Sequence, residues 1–156
     1  MEKEKKYRAN VAAIVLSNKY PFECRILLGE RSDMKGIWQL PQGGIDKGED
    51  AKKALFRELK EEIGTDEVEI ISSYPEWLYY DFPANAKAKM YPYDGQKQKY
   101  FLVRLKDKAK IDIHTKDAEF SAYEFVNLKK FFEVVNHFKK PLYSKVIKHF
   151  QEKGYI

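Results

Sequence analysis

The sequence predicts an α/β sandwich, and two observations predict it. Short apolar runs bounded by turn residues recur between residues 10 and 126, which is the pattern of a sheet. Three other segments space their apolar residues three and four apart, which is the pattern of helices that bury one face. Strands mixed with helices in this way pack as layers around a shared core.

The elements follow in order. Residues 10–17 read as a first strand buried on both faces. Residues 18–21 make a turn, and 23–28 a second strand returning from it. A loop at 32–36 leads to a short extended piece, 37–40, which Pro41-Gln42-Gly43-Gly44 breaks. A helix covers about 50–63. Residues 67–73 and 76–82 look like strands. Residues 83–95 form a loop holding Pro83, Pro92 and the turn pair Asp94-Gly95. Residues 97–105 and 119–126 are further strands. Leu128, Phe131, Phe132 and Val135 fall at helical spacing. A last helix begins near Pro141, which suits a first turn, and carries Leu142, Val146 and Phe150 inward.

The helix over 50–63 carries the chemistry. Asp46 and Glu49 have capping-box spacing, and Asp50 is a second possible cap. Ala51, Ala54, Leu55, Leu59 and Ile63 form an apolar stripe, and Gly64 is the expected stop. Glu58, Glu61 and Glu62 stand at i, i+3 and i+4, so three carboxylates share one face about a turn apart. Such a cluster repels itself unless a cation sits on it, and hard oxygen ligands suit Mg²⁺ or Mn²⁺. A solvated acidic face partnered by Lys52, Lys53 and Lys60 would be the plainer explanation. The glycines and Arg57 at fixed offsets count against it.

At 156 residues the chain is expected to be one domain, 1–156, large enough for a core. It is 44% hydrophobic and 34% charged, with net charge +5. An excess of Lys and Arg around an acidic site suits a polyanionic substrate or nucleic acid, or simply solubility. Cys24, the only cysteine, excludes an internal disulfide. The basic start at residues 1–6 is followed by only a short apolar run, so no signal peptide is read, and no segment is long enough to span a membrane. A cytoplasmic protein is the expectation.

Residues 43–65 read Gly43-x5-Glu49-x7-Arg57-Glu58-Leu59-x-Glu61-Glu62-x-Gly64-Thr65. This resembles the signature of the Nudix hydrolases and departs from it only at Thr65, where an aliphatic residue is usual. A chance match to the fixed positions is on the order of 10⁻⁹ per starting point, which sets aside coincidence. The resemblance implies the α-β-α form of the sandwich, with a mixed sheet between helices. Tyr7-Arg8-Ala9-Asn10-Val11, the run Trp38 to Ile45 and Gly95-Gln96-Lys97-Gln98-Lys99-Tyr100-Phe101 are similar to the bacterial RNA pyrophosphohydrolase branch, also described as dinucleoside polyphosphate hydrolases. The chain departs from the commoner pattern at Ala9 and in residues 32–36 and 84–94.

The resemblance implies a site. Glu58, Glu61, Glu62 and the Gly43 carbonyl would hold two or three divalent ions, with Glu119 as a further acidic ligand. These would neutralise phosphate charge and activate a water for in-line attack. Glu61 or Glu119 would be the general base. Arg57 would orient a carboxylate, and Glu49 would support the loop. Arg8, Arg31, Lys97, Lys99 and Lys139 are the candidate phosphate contacts. Gln39, Gln42, Gln96 and Gln98 are candidate pocket polar groups, and Tyr80 and Phe138 candidate stacking rings. Trp38 reads as core or pocket wall, and His114, His137 and His149 receive no site. The implied reaction converts 5′-triphosphate RNA to 5′-monophosphate RNA, promoting decay. Hydrolysis of a dinucleoside polyphosphate such as diadenosine tetraphosphate is the alternative, and a non-catalytic RNA- or nucleotide-binding module a third reading. An activating protein partner is left open.

Overall fold

The computed structural model describes residues 4–156; the first three residues of the basic start lie outside them. In chain order the elements are β1 (Tyr7–Leu16), β2 (Ile26–Arg31), β3 (Trp38–Gln39), β4 (Gln42–Gly44), α1 (Ala51–Ile63), β5 (Val68–Ser73), β6 (Leu78–Asp81), α2 (Ala84–Lys87), β7 (Gly95–Leu105), β8 (Phe120–Val126), α3 (Leu128–Val134) and α4 (Lys140–Glu152).

One mixed sheet organises them. Its path runs β3-β2-β1-β7-β5, with β4 on β1, β6 on β7 and β8 on β2. The long central pair β1 and β7 is parallel, from Tyr7 opposite Gly95 to Leu16 opposite Arg104. The remaining pairs are antiparallel. The other edge of β1 is divided: Asn10, Val11 and Ala12 pair with β4, whereas Leu16 pairs with β2.

The two-residue period of β1, buried on both faces, explains why it is apolar from Val11 to Leu16. Ala12, Ile14 and Leu16 join Phe131, Tyr143, Val146, Ile147 and Phe150 in a core under α3 and α4. Val11, Ala13 and Val15 point the other way and join Ala54, Leu55, Leu59 and Ile63 of α1. The sheet is therefore sandwiched between helices, in the α-β-α arrangement expected.

Five expectations shift. Pro41 to Gly44 was expected only to break a strand, but Gln42–Gly44 is itself a strand, because β1 offers its free edge there. The second strand starts and ends later than 23–28, and the seventh begins at Gly95 rather than at 97. The loop 83–95 contains the short α2. Asp50 caps α1, accepting from the Lys53 backbone N–H, whereas Asp46 and Glu49 close a turn just before it.

Candidate active site

The loop before α1 and the helix itself are clamped by one side chain. Arg57 donates from Nε and Nη2 to the two carboxylate oxygens of Glu49, each at 2.8 Å. Its Nη2 also donates to the Gly44 carbonyl at 2.7 Å, and its Nη1 to Glu58 at 2.8 Å and Glu61 at 3.3 Å. The planar guanidinium suits such a fork of acceptors. Glu49 is held well below the usual carboxylate range by the Arg57 hydrogen bond, so it stays charged and keeps the clamp.

Glycines let backbone and side chains meet here. A Cβ at Gly43 would fall 1.9 Å from the Glu58 carboxyl group, and one at Gly44 would fall 2.5 Å from Arg8 Nη2. A glycine leaves both side-chain ends in place, where any larger residue would have to move them. Gly64 ends α1 at φ +74°, as a left-handed cap. Beside it the segment before β8 crosses the helix end, with the Thr115 hydroxyl donating to the Glu61 carbonyl. That crossing brings Asp117 and Glu119 to the carboxylate face. Thr65 is buried, and its hydroxyl accepts from the Glu67 backbone N–H at 3.1 Å. The departure from an aliphatic residue is thus absorbed by a local turn.

Glu58, Glu61, Glu62 and Glu119 all line one large cavity of about 1120 Å³. Burial pushes the Glu58 carboxyl up to about 7, against the pull of Arg57, with Glu61 and Glu119 adding like charge. Burial, then the charges of Glu119 and Glu58, pushes Glu62 up to about 8. Glu62 is only 4% exposed, and its Oε2 is buried without a hydrogen-bond partner. An unpartnered carboxylate oxygen among other carboxylates is a costly arrangement that a bound cation would relieve. The donor set, carboxylates beside a cramped glycine backbone, suits a hard divalent ion. Among the described residues no three acidic or imidazole groups already converge as a cage, and Arg57 Nη1 bridges Glu58 and Glu61 instead.

The other end of the cavity carries cations, amides and rings. Arg8, Arg31, Gln39, Gln42, Tyr80, Gln96, Phe138 and Lys139 all line it. Lys139 is 5% exposed, and its ammonium donates to Gln42 Oε1 at 2.6 Å. The same ammonium lies 5.5 Å from the Tyr80 ring centroid and 5.9 Å from that of Phe138. Burial and the nearby Arg31 push it down to about 7, with Glu119 opposing. Arg31 is paired with Asp33. The Tyr80 hydroxyl bonds Gln96, and the two rings Tyr80 and Phe138 pack 5.3 Å apart.

Three expected contacts lie off this wall. Gln98 is fully buried, donating to Asn10 at 2.9 Å and to Gln42 at 3.2 Å while accepting from the Tyr100 hydroxyl at 2.6 Å. It positions Gln42 from behind. Lys97 and Lys99 do not line the cavity, because on β7 they alternate with Gln96 and Gln98 and so face the other side of the sheet. Conversely, sequence reading missed Asn10, His137 and Lys89 on the cavity wall. His137 Nε2 bonds the Trp38 carbonyl at 2.9 Å, a pairing of distant segments that no local pattern reveals.

With this geometry in view, residues 6–150 match the NUDIX domain. Over the full length of both chains the protein is 71% identical to an RNA pyrophosphohydrolase of Campylobacter jejuni subsp. doylei and 59% identical to one of Nitratiruptor sp.. It is 52% identical to the Helicobacter pylori RNA pyrophosphohydrolase over 97% of this chain and 98% of that one. Among solved structures, the E. coli dihydroneopterin triphosphate pyrophosphohydrolase is similar in fold, with TM-score 0.68, 19% identity, and 86% and 92% of the two chains covered. A MutT protein of Methanosarcina mazei gives TM-score 0.66 at 19% identity, covering 99% and 100%. The domain match, the full-length relatives and the acidic helix agree: the chain belongs to the Nudix hydrolase family.

Proposed function

We propose that this protein is a metal-dependent RNA 5′ pyrophosphohydrolase, acting as one Nudix unit over its whole length in the bacterial cytoplasm. The observation that carries this reading is full-length identity of 71% to a relative of that name. The cavity supports it, joining an acidic wall to a cationic, aromatic one within a single space. A 5′-triphosphate followed by bases needs both.

Nudix hydrolases work with divalent metal, and in this reading the ions are Mg²⁺ or Mn²⁺, two or three in number. Bound there, they would offset phosphate charge and make a water a better nucleophile. Glu58, Glu61, Glu62 and the Gly43 carbonyl would hold them, with Glu119 adding a carboxylate from the crossing segment. Arg57 fixes Glu58 and Glu61 and tethers the loop through the Gly44 carbonyl. Glu61 or Glu119 accepts the proton of the attacking water. Arg8, Arg31 and Lys139 bind the polyphosphate, with Gln39, Gln42 and Gln96 as neutral partners. Lys139, displaced towards neutrality by burial, regains its charge when an anionic phosphate comes beside it. Tyr80 and Phe138 stack on the leading bases. The product is a 5′-monophosphate end, which opens the transcript to decay.

The test is release of pyrophosphate or phosphate from γ-labelled triphosphate RNA in Mg²⁺. Glu58→Gln and Glu62→Gln should abolish it while keeping the fold. Full turnover by both variants would overturn the assignment of this helix.

A further inference from the structure

The strands that build the cavity carry a second set of nucleic-acid chemistry on their far side. Arg8, Tyr80 and Gln96 line the cavity. Their strand neighbours Tyr7, Tyr79 and Lys97 point to the opposite face, as the pleat requires. Register keeps these neighbours together: Tyr7 stands opposite Gly95, and Tyr79 opposite Lys97. The Lys97 ammonium lies 5.0 Å from the Trp77 ring centroid. Tyr7 and Tyr79 pack edge to face at 5.1 Å, and Tyr79 is 55% exposed. Lys99, two residues on, faces the same way.

Helix α1 covers this side of the sheet over Val11, Ala13, Val15, Phe101 and Val103. The aromatic and lysine cluster lies beyond that cover. Asp81, the acid on this face of β6, is matched by Lys5 at 2.5 Å and by the Tyr7 hydroxyl at 2.6 Å, so it does not draw on Lys97 or Lys99. Among the described residues β6 pairs only with β7, which makes it the sheet's edge at this point. A chain leaving the cavity past Tyr80 therefore rounds β6 beside the segment that follows it, whose Phe82, Pro83 and Met90 also line the cavity, to reach Tyr79.

We propose that Tyr7, Trp77, Tyr79, Lys97 and Lys99 form a track for single-stranded RNA downstream of the 5′ end, continuous with the cavity around the β6 edge. Bases stack on the rings and the lysines meet phosphates, the combination that binds single strands without sequence preference. The track rests on the reading of RNA as substrate. It also gives Lys97 and Lys99 the phosphate contacts expected of them, but on the body of the RNA rather than on its triphosphate.

The experiment compares wild type, Tyr79→Ala, Trp77→Ala and the conservative Lys97→Gln/Lys99→Gln double variant. Two triphosphate substrates are used, a dinucleotide and an oligomer of about 12 nucleotides. Binding of the same oligomer with a 5′-hydroxyl end is followed by fluorescence anisotropy. The track predicts that KM for the oligomer rises about ten-fold in each variant with kcat unchanged, that the dinucleotide is unaffected by Tyr79→Ala, and that the 5′-hydroxyl oligomer loses affinity by a similar factor. It also predicts a shallower salt dependence in the lysine variant. Equal effects on both substrate lengths, or none, would overturn the track, as would a protein ligand on this face that leaves oligomer affinity untouched. If wild type turns over no RNA, the proposed function fails, and the 5′-hydroxyl binding data still decide whether the surface holds RNA.

Discussion

The Glu58 carboxyl group occupies the place where a side chain on Gly43 would begin, 1.9 Å from an ideal Cβ. A strand of three residues and a helix thus touch through a glycine, and any side chain there would have to displace the Glu58 carboxyl group. Gly43→Ala is predicted to push Glu58 or β4 out of position. Overpacking of this kind costs about 1–3 kcal/mol of stability. Displacement of the carboxylate by about an ångström would cost on the order of 100-fold in kcat/KM. Thermal unfolding and steady-state kinetics on the same variant check both halves.

Glu62 carries a buried oxygen with no partner. Metal should therefore stabilise the protein through it. Excess Mg²⁺ is expected to raise the Tm of wild type by mass action and to raise that of Glu62→Gln much less. In chelator, the variant is expected to match or exceed wild type, because a neutral amide avoids the cost of burying a charge there and the repulsion from Glu119 and Glu58. Calorimetry with and without Mg²⁺ reads this directly, and equal metal-induced shifts in both proteins would contradict it.

Arg57 makes a two-pronged contact with Glu49 and a further bond to the Gly44 carbonyl. Lysine keeps the charge but not the fork. Arg57→Lys is predicted to lose one or more charge-assisted bonds, about 1.5–3 kcal/mol each. Its kcat/KM should fall roughly 10–100-fold, as for other residues that orient metal ligands. Unfolding and kinetics are the measurements, and retention of full activity would mean the clamp is dispensable.

Lys139 gives the pH dependence a definite sign. Its ordinary value is 10.5 and burial lowers it to about 7 in the folded protein. Between those values the unfolded chain binds the extra proton, so the Lys139 contribution to stability rises with pH across that window, opposed up to about pH 8 by Glu62, for which the folded chain binds the extra proton. Below about 7 the cost of burying the charge is fully present. Lys139→Met is expected to be more stable than wild type at neutral pH and to lose its rise in Tm between about pH 7 and pH 10. The same variant should bind a triphosphate end more weakly, since it lacks the cation.

The acidic helix was legible because its information is local. The stripe from Ala51 to Ile63, the Asp50 cap and the Gly64 stop each sit within a few residues of what they control. The strand at Gln42–Gly44 was not, since only its pairing with Asn10–Ala12 makes it a strand. The alternation of Gln96 and Gln98 with Lys97 and Lys99 announced that the amides and the lysines face opposite ways, but not which of the two faces the cavity. That choice follows from the layers: Tyr100, in phase with Gln98, packs under α4, while Phe101, in phase with Lys99, packs under α1. Phe138 and Lys139 reach the site from the chain between α3 and α4, where no periodicity marks a position.

The most direct measurement is competition between γ-labelled triphosphate RNA and diadenosine tetraphosphate at equal concentration with Mg²⁺. A clearly higher kcat/KM for RNA, with labelled pyrophosphate or phosphate released and a 5′-monophosphate left, is the predicted result. Turnover of the dinucleotide alone would contradict the RNA assignment, and would leave the glutamates of α1 serving a nucleotide hydrolase instead.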